Sequence, residues 1–170
     1  MKKFTLPLSI ITTVALAGSA TADLQVEFIE GAPKDRFVIT NVGYCALGAG
    51  QFAIDFVNSS AGLIFDVTNE GPGVKVFQPF EVTSVAEYLM AQPSVKDGDQ
   101  RAVFDMFGLG VSKTIAFTID VDDTIGTRAI TVADSEISGT TVSLYAAGGT
   151  YSAAMDTEAQ VLIFTPSCDA

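Results

Sequence analysis

Hydrophobic and polar residues alternate with a period of two along most of the chain. Leu24, Val26 and Phe28 are separated by Gln25 and Glu27, and Phe37 and Ile39 follow a Gly-Ala-Pro-Lys-Asp turn at 31–35. Phe52, Ile54 and Phe56 alternate with small or acidic partners, and Leu-Ile-Phe-Asp-Val at 63–67 follows a Ser-Ser-Ala-Gly break. The longest run sets Ile115, Phe117, Ile119 and Val121 against Thr114, Ala116, Thr118, Asp120 and Asp122. Successive side chains of a strand point to opposite faces, so this spacing gathers β-branched and aromatic residues on one buried side. Glycine and asparagine turn signals recur between the runs, including Gly148-Gly149. Roughly eight to ten short strands with Gly-rich turns predict an all-β fold, an antiparallel β-sandwich of immunoglobulin-like or jelly-roll type. One segment breaks the period. Ser84-Val-Ala-Glu87 has the form of a capping box, and the residues behind it allow at most one short helix near 84–92 before Pro93.

The N-terminus carries a different pattern. Lys2 and Lys3 precede an apolar run from Leu6 to Leu16, and Ala20-Thr21-Ala22 fits the small-x-small rule of signal peptidase. The run is far short of the ~20 residues that cross a bilayer. Residues 1–22 therefore read as a signal peptide cleaved after Ala22, and the expected location is secreted or periplasmic. The remaining 170 − 22 = 148 residues (23–170) make one domain, with no repeat or linker to divide them.

Charge narrows the partners. The chain has 9 basic and 20 acidic residues. Loss of Lys2 and Lys3 leaves 9 − 2 = 7 basic residues and a net charge of −13. Such a surface repels nucleic acid and anionic head groups and favours cations or basic partners. Nothing after the leader is long and apolar enough for membrane insertion. Cys45 and Cys168 are the only cysteines, and in an exported chain they predict one disulfide closing a loop of 168 − 45 + 1 = 124 residues.

Much catalytic chemistry is excluded. The chain has no histidine and no tryptophan, no Gly-x-Ser-x-Gly elbow and no phosphate loop. A carboxylate-based hydrolase needs only two acids at a defined separation and stays open as a third option. The main expectation is a non-catalytic protein.

The acids supply the remaining chemistry. Asp120 and Asp122 share the polar side of their strand, and Asp123 begins the next turn. If Arg101–Phe107 and Lys113–Asp122 form a hairpin across 108–112, residue 99 faces 121 and residue 97 faces 123. Asp97, Asp99, Asp122 and Asp123, with Asp120 as a possible fifth, then meet at one end of the sandwich. Like charges so placed repel, and calcium would neutralise them with six to eight oxygens at ~2.3–2.6 Å. The alternative is balance by the local cations Lys96, Arg101 and Arg128. The EF-hand template fails: counted from Asp120, Ile125 stands where glycine belongs. Tyr145 and Tyr151, flanking Gly148-Gly149, are candidate rings for an extracellular glycan-binding module, the second functional reading.

The strings VEFIEGAPKDRFVITNVGYC (26–45), GLIFDVT (62–68), VFQPFEV (76–82), VKDGDQR (95–101) and FTIDVDDT (117–124) resemble secreted bacterial aggregation-factor-core-like proteins, a label taken from sponge cell-adhesion cores. The resemblance implies adhesion or matrix association, with a cell-surface or matrix protein or glycan as partner. The acidic strand-end loops are also similar to those of Calx-β-type calcium-binding sandwiches.

Overall fold

The structure is a computed structural model and describes residues 21–32, 34–74, 76–84, 86–125, 131–165 and 168. The expected leader lies outside these residues, apart from Thr21 and Ala22.

Leu24–Ile29 (β1) and Asp35–Asn41 (β2) form an antiparallel hairpin in which Val26 pairs with Ile39 and Phe28 with Phe37. The strands that follow are Gly50–Asp55 (β3), Ile64–Phe65 (β4), Glu81–Ser84 (β5), Arg101–Met106 (β6), Thr114–Ile119 (β7), Val121–Asp122 (β8), Thr141–Ala146 (β9), Gly149–Ala154 (β10) and Gln160–Ile163 (β11). They build an antiparallel all-β sandwich. One sheet has the order β11-β1-β2-β7-β5, the other β10-β9-β3-β6, and β4 pairs with β8 in a short separate ladder. In place of the short helix near 84–92, the chain stays extended to Ser84 and makes a single 3-10 turn at Ala86–Tyr88. A helical turn at Asp134–Ile137 has no counterpart in the hydrophobic pattern. It buries only Ile137, too little to leave a helical period in the sequence.

Phenylalanines bind the sheets together. Phe37 and Phe117 stack within one sheet at 5.4 Å, Phe117 meets Phe104 of the other at 4.7 Å, and Phe104 stacks on Phe52 at 4.4 Å. A branch runs from Phe37 through Phe56 to Phe65, whose rings lie 4.6 Å apart in the last pair.

The Phe104–Phe117 contact overturns one expectation. β6 and β7 are not a hairpin: β6 pairs with β3, β7 pairs with β2 and β5, and they lie in opposite sheets. Their inward rings face each other across the core, which neighbours in one sheet cannot do. The 107–113 connection is an arch, held where Leu109 and Leu47 exchange backbone hydrogen bonds of 2.9 Å. Gly108 permits that approach, with φ of 141° and Leu47 O 2.7 Å from where its Cβ would stand.

Cys45 and Cys168 are joined, with Cα atoms 5.7 Å apart. The bond suits an oxidising, non-cytoplasmic compartment. No helix of the described residues is long and apolar enough to cross a membrane.

Candidate functional site

Three aspartates converge where β4 meets β8. The ladder pairs Ile64 with Asp122 and Phe65 with Val121, so its continuation sets Asp66 opposite Asp120. Backbone bonds close a ring around this point. Asp66 N donates to Asp120 O at 3.1 Å, Asp120 N to Gln78 O at 3.2 Å, and Gln78 N to Asp66 O at 3.3 Å. Each of Asp66, Asp120 and Asp122 offers one carboxylate oxygen within 4.8 Å of the other two.

All three are buried: Asp66 is 1% exposed, Asp120 5% and Asp122 1%. The sequence pattern places Asp120 and Asp122 on a wet face. That face is covered instead, because β4 pairs beside it and Gly73, Val74 and Gln78 lie against the acids. Val74 N donates to Asp122 Oδ2 at 2.6 Å, and Gly73 has no side chain because a Cβ there would overlap the Asp66 carboxyl group. Asp66 Oδ2 and Asp120 Oδ2 are buried and receive no hydrogen bond from the described residues. An unpartnered buried carboxylate oxygen is among the costlier things a fold can hold.

The electrostatics follow. Burial first, then the charges of Asp122, Asp35 and Asp66, push the Asp120 carboxyl from its ordinary 3.8 to about 8. Burial, then the hydrogen bond and charge of Asp122, then the charge of Asp97, raise Asp66 to about 7. Asp35, at the start of β2, is a fourth buried acid beside the group. Burial lifts it to about 7 against the pull of N–H donors from Gly31 and Val121. Its oxygens accept those two bonds at 3.2 and 3.0 Å, so Asp35 is already satisfied by the backbone.

No lysine or arginine among the described residues pairs with the three acids; the ion pair formed is Lys34–Glu81, at 2.6 Å. Of the cations expected to balance the charge, Lys96 is exposed, and Arg101 donates to the Tyr145 hydroxyl at 2.8 Å on the four-stranded sheet. Arg128 lies outside the described residues.

Of the acids singled out in the sequence, Asp120 and Asp122 belong to the cluster. Asp97 stands next to it as a turn cap, accepting from Val67 N at 2.7 Å, Thr68 N at 2.8 Å and the Thr68 hydroxyl. Burial alone would raise its carboxyl, but these donors outweigh it and hold Asp97 below its ordinary value. Asp99 caps its own turn, accepting from Lys96 N at 2.9 Å. Asp123 is buried but is not one of the three converging acids. Asp66 was missed. Its signal was an acid in the middle of the apolar string Leu63-Ile-Phe-Asp-Val67.

The candidate glycan platform is not assembled. Tyr151 pairs with the buried Leu144 and packs against the core, whereas Tyr145 lies on the opposite face of the same hairpin. Chemically, the acid cluster can take up either protons or a hard cation held by oxygen.

No family model matches the chain, and neither a curated protein nor a solved structure matches it.

Proposed function

We propose that the protein is an exported, non-catalytic β-sandwich for adhesion or matrix association, in which Asp66, Asp120 and Asp122 hold a calcium ion. The observation that carries the reading is the convergence of three buried carboxylates with two unpartnered oxygens and no neutralising side chain among the described residues. A divalent ion satisfies those oxygens and cancels the repulsion in one step. Calcium fits the all-oxygen donor set and tolerates irregular coordination better than magnesium does. The burial of the acids leaves no room for a substrate between them, which speaks for a structural ion and against hydrolysis. Adhesion draws on the aggregation-factor likeness and on the disulfide, and the ion would fix the β4–β8 end as a docking edge.

Calorimetric titration of chelator-stripped protein with calcium tests the metal. Heat of binding saturating near one ion per chain is expected, with a rise in melting temperature. No heat and no shift at millimolar calcium would refute it. Fractionation followed by pull-down of surface partners tests the adhesive role.

A further inference from the structure

The segment that meets the expected leader is built into the fold. Thr21 O accepts hydrogen bonds from Tyr44 N at 2.7 Å and Cys45 N at 3.3 Å, beside the disulfide. Thr21 Oγ1 donates to Asp23 Oδ2 at 2.9 Å. Ala22 N donates to Thr165 Oγ1 at 3.0 Å, and Ala22 is fully buried and belongs to the hydrophobic core. Gly43 leaves room for the backbone of residues 21–23. A Cβ on Gly43 would overlap the Thr21 carbonyl oxygen and stand 2.5 Å from Asp23 N and 2.7 Å from Ala22 Cα. Gly43 is not among the residues of positive φ, so close approach alone accounts for a glycine there.

Cleavage after Ala22 would remove both residues. The N–H groups of Tyr44 and Cys45 would lose their acceptor, and the space beside Gly43 and Thr165 would be left without the side chain that fills it. Small-x-small spacing allows a second cut: Gly18-Ser19-Ala20 meets the same rule two residues earlier.

We propose that the leader is removed between Ala20 and Thr21, so that the mature chain begins at Thr21. A signal peptidase adds water across that peptide bond, leaving a carboxylate on Ala20 and an ammonium on Thr21. The two retained residues then close the corner where β1, the Cys45 turn and the end of β11 meet. This inference rests on the leader reading and is independent of the metal.

The test is the N-terminal residue of the full chain, expressed with its own leader in a bacterial host and recovered from periplasm or medium. Edman sequencing or intact mass is expected to give Thr21. Asp23 would overturn the site, and an intact Met1 would overturn the leader as well. Gly18→Leu supplies a second arm, since it occupies the critical third position of the cut after Ala20 and lies outside that of a cut after Ala22. Accumulated precursor supports the proposal, and normal processing refutes it. In the exported protein Gly43→Ala is expected to lower the melting temperature by about 5 °C or more. If that variant does not accumulate, Thr165→Val gives a milder loss at the same contact. An unchanged melting temperature in whichever variant is recovered would count against retention of Thr21 and Ala22.

Discussion

Asp120→Asn should stabilise the protein without calcium and blunt its response to calcium. Asp120 is buried, its Oδ2 has no donor, and its carboxyl is pushed from 3.8 to about 8. Holding that acid neutral at about pH 7.5, where the unfolded chain ionises it, costs about 5 kcal/mol if the whole shift is assigned to Asp120. Asp66 and Asp122 share the repulsion, and an amide in the same place keeps part of the desolvation penalty. The substitution therefore returns about 1–3 kcal/mol. An amide also donates N–H to the Asp66 or Asp122 carboxylate at any pH, whereas Asp120 can donate only while protonated. For a chain of this size the melting temperature in chelator rises by about 3–10 °C.

With calcium the variant's advantage shrinks by about 2 kcal/mol. At a free concentration a hundred times its dissociation constant, the ion stabilises the native protein by about 2.7 kcal/mol. If the amide weakens binding a hundredfold, the variant gains only about 0.4 kcal/mol at the same concentration. Paired melting curves of both proteins, in chelator and in millimolar calcium, read the effect directly. Equal destabilisation of Asp120→Asn in the two buffers would refute the reasoning, because it would make Asp120 an ordinary structural group with no ion to serve.

The raised carboxyls also set a pH dependence. Asp35, Asp66 and Asp120 bind protons more tightly folded than unfolded, so the ion-free protein should lose stability as pH rises from about 4 to about 8. The slope is about 1.4 kcal/mol per pH unit per excess proton. Melting curves in chelator check this, and a rise in stability over that window would contradict it. Gly73→Ala changes no donor but overlaps the Asp66 carboxyl; calorimetry should show calcium affinity about tenfold weaker or worse. Cys45→Ser with Cys168→Ser should cost about 2–4 kcal/mol, read by denaturant unfolding. The calcium response should persist, because the disulfide adjoins the Asn41 end of β2 and the acids its Asp35 end.

Period two carries most of the fold, because each strand with one buried face writes that face into the sequence. Val26, Phe28, Phe37, Ile39, Phe104 and Phe117 are buried where alternation places them. What alternation does not encode is which strands pair. Arg101–Met106 and Thr114–Ile119 are separated by a short glycine-bearing loop that reads as a hairpin turn, yet the loop is an arch between sheets. The difference lies in nonlocal contacts, the Leu47–Leu109 exchange and the Phe104–Phe117 stack, which no local window contains. Asp120 and Asp122 were legible as a pair because they lie two residues apart. Asp66 reaches them only through the β4–β8 ladder, and β4 is two residues long, too short to leave a period.

The frame around the acids explains why their charge must be answered chemically. A loosely held carboxylate relieves repulsion by rotating into water. Here Phe65, immediately before Asp66, is pinned against Phe56 in the core, and Val121, between Asp120 and Asp122, is buried in the same core. The ring of backbone bonds through Gln78 then fixes residue 66 against residue 120. None of the three can move outward without unpacking a core residue or breaking that ring. The sandwich thus holds the oxygens together in advance, and the ordering cost that usually weakens a cation site is already met by folding. Hydrogen exchange at the Val74 and Gln78 amides can follow this coupling. Both should exchange more slowly when calcium is added, and protection unchanged by the ion would mean that the ring closes without it.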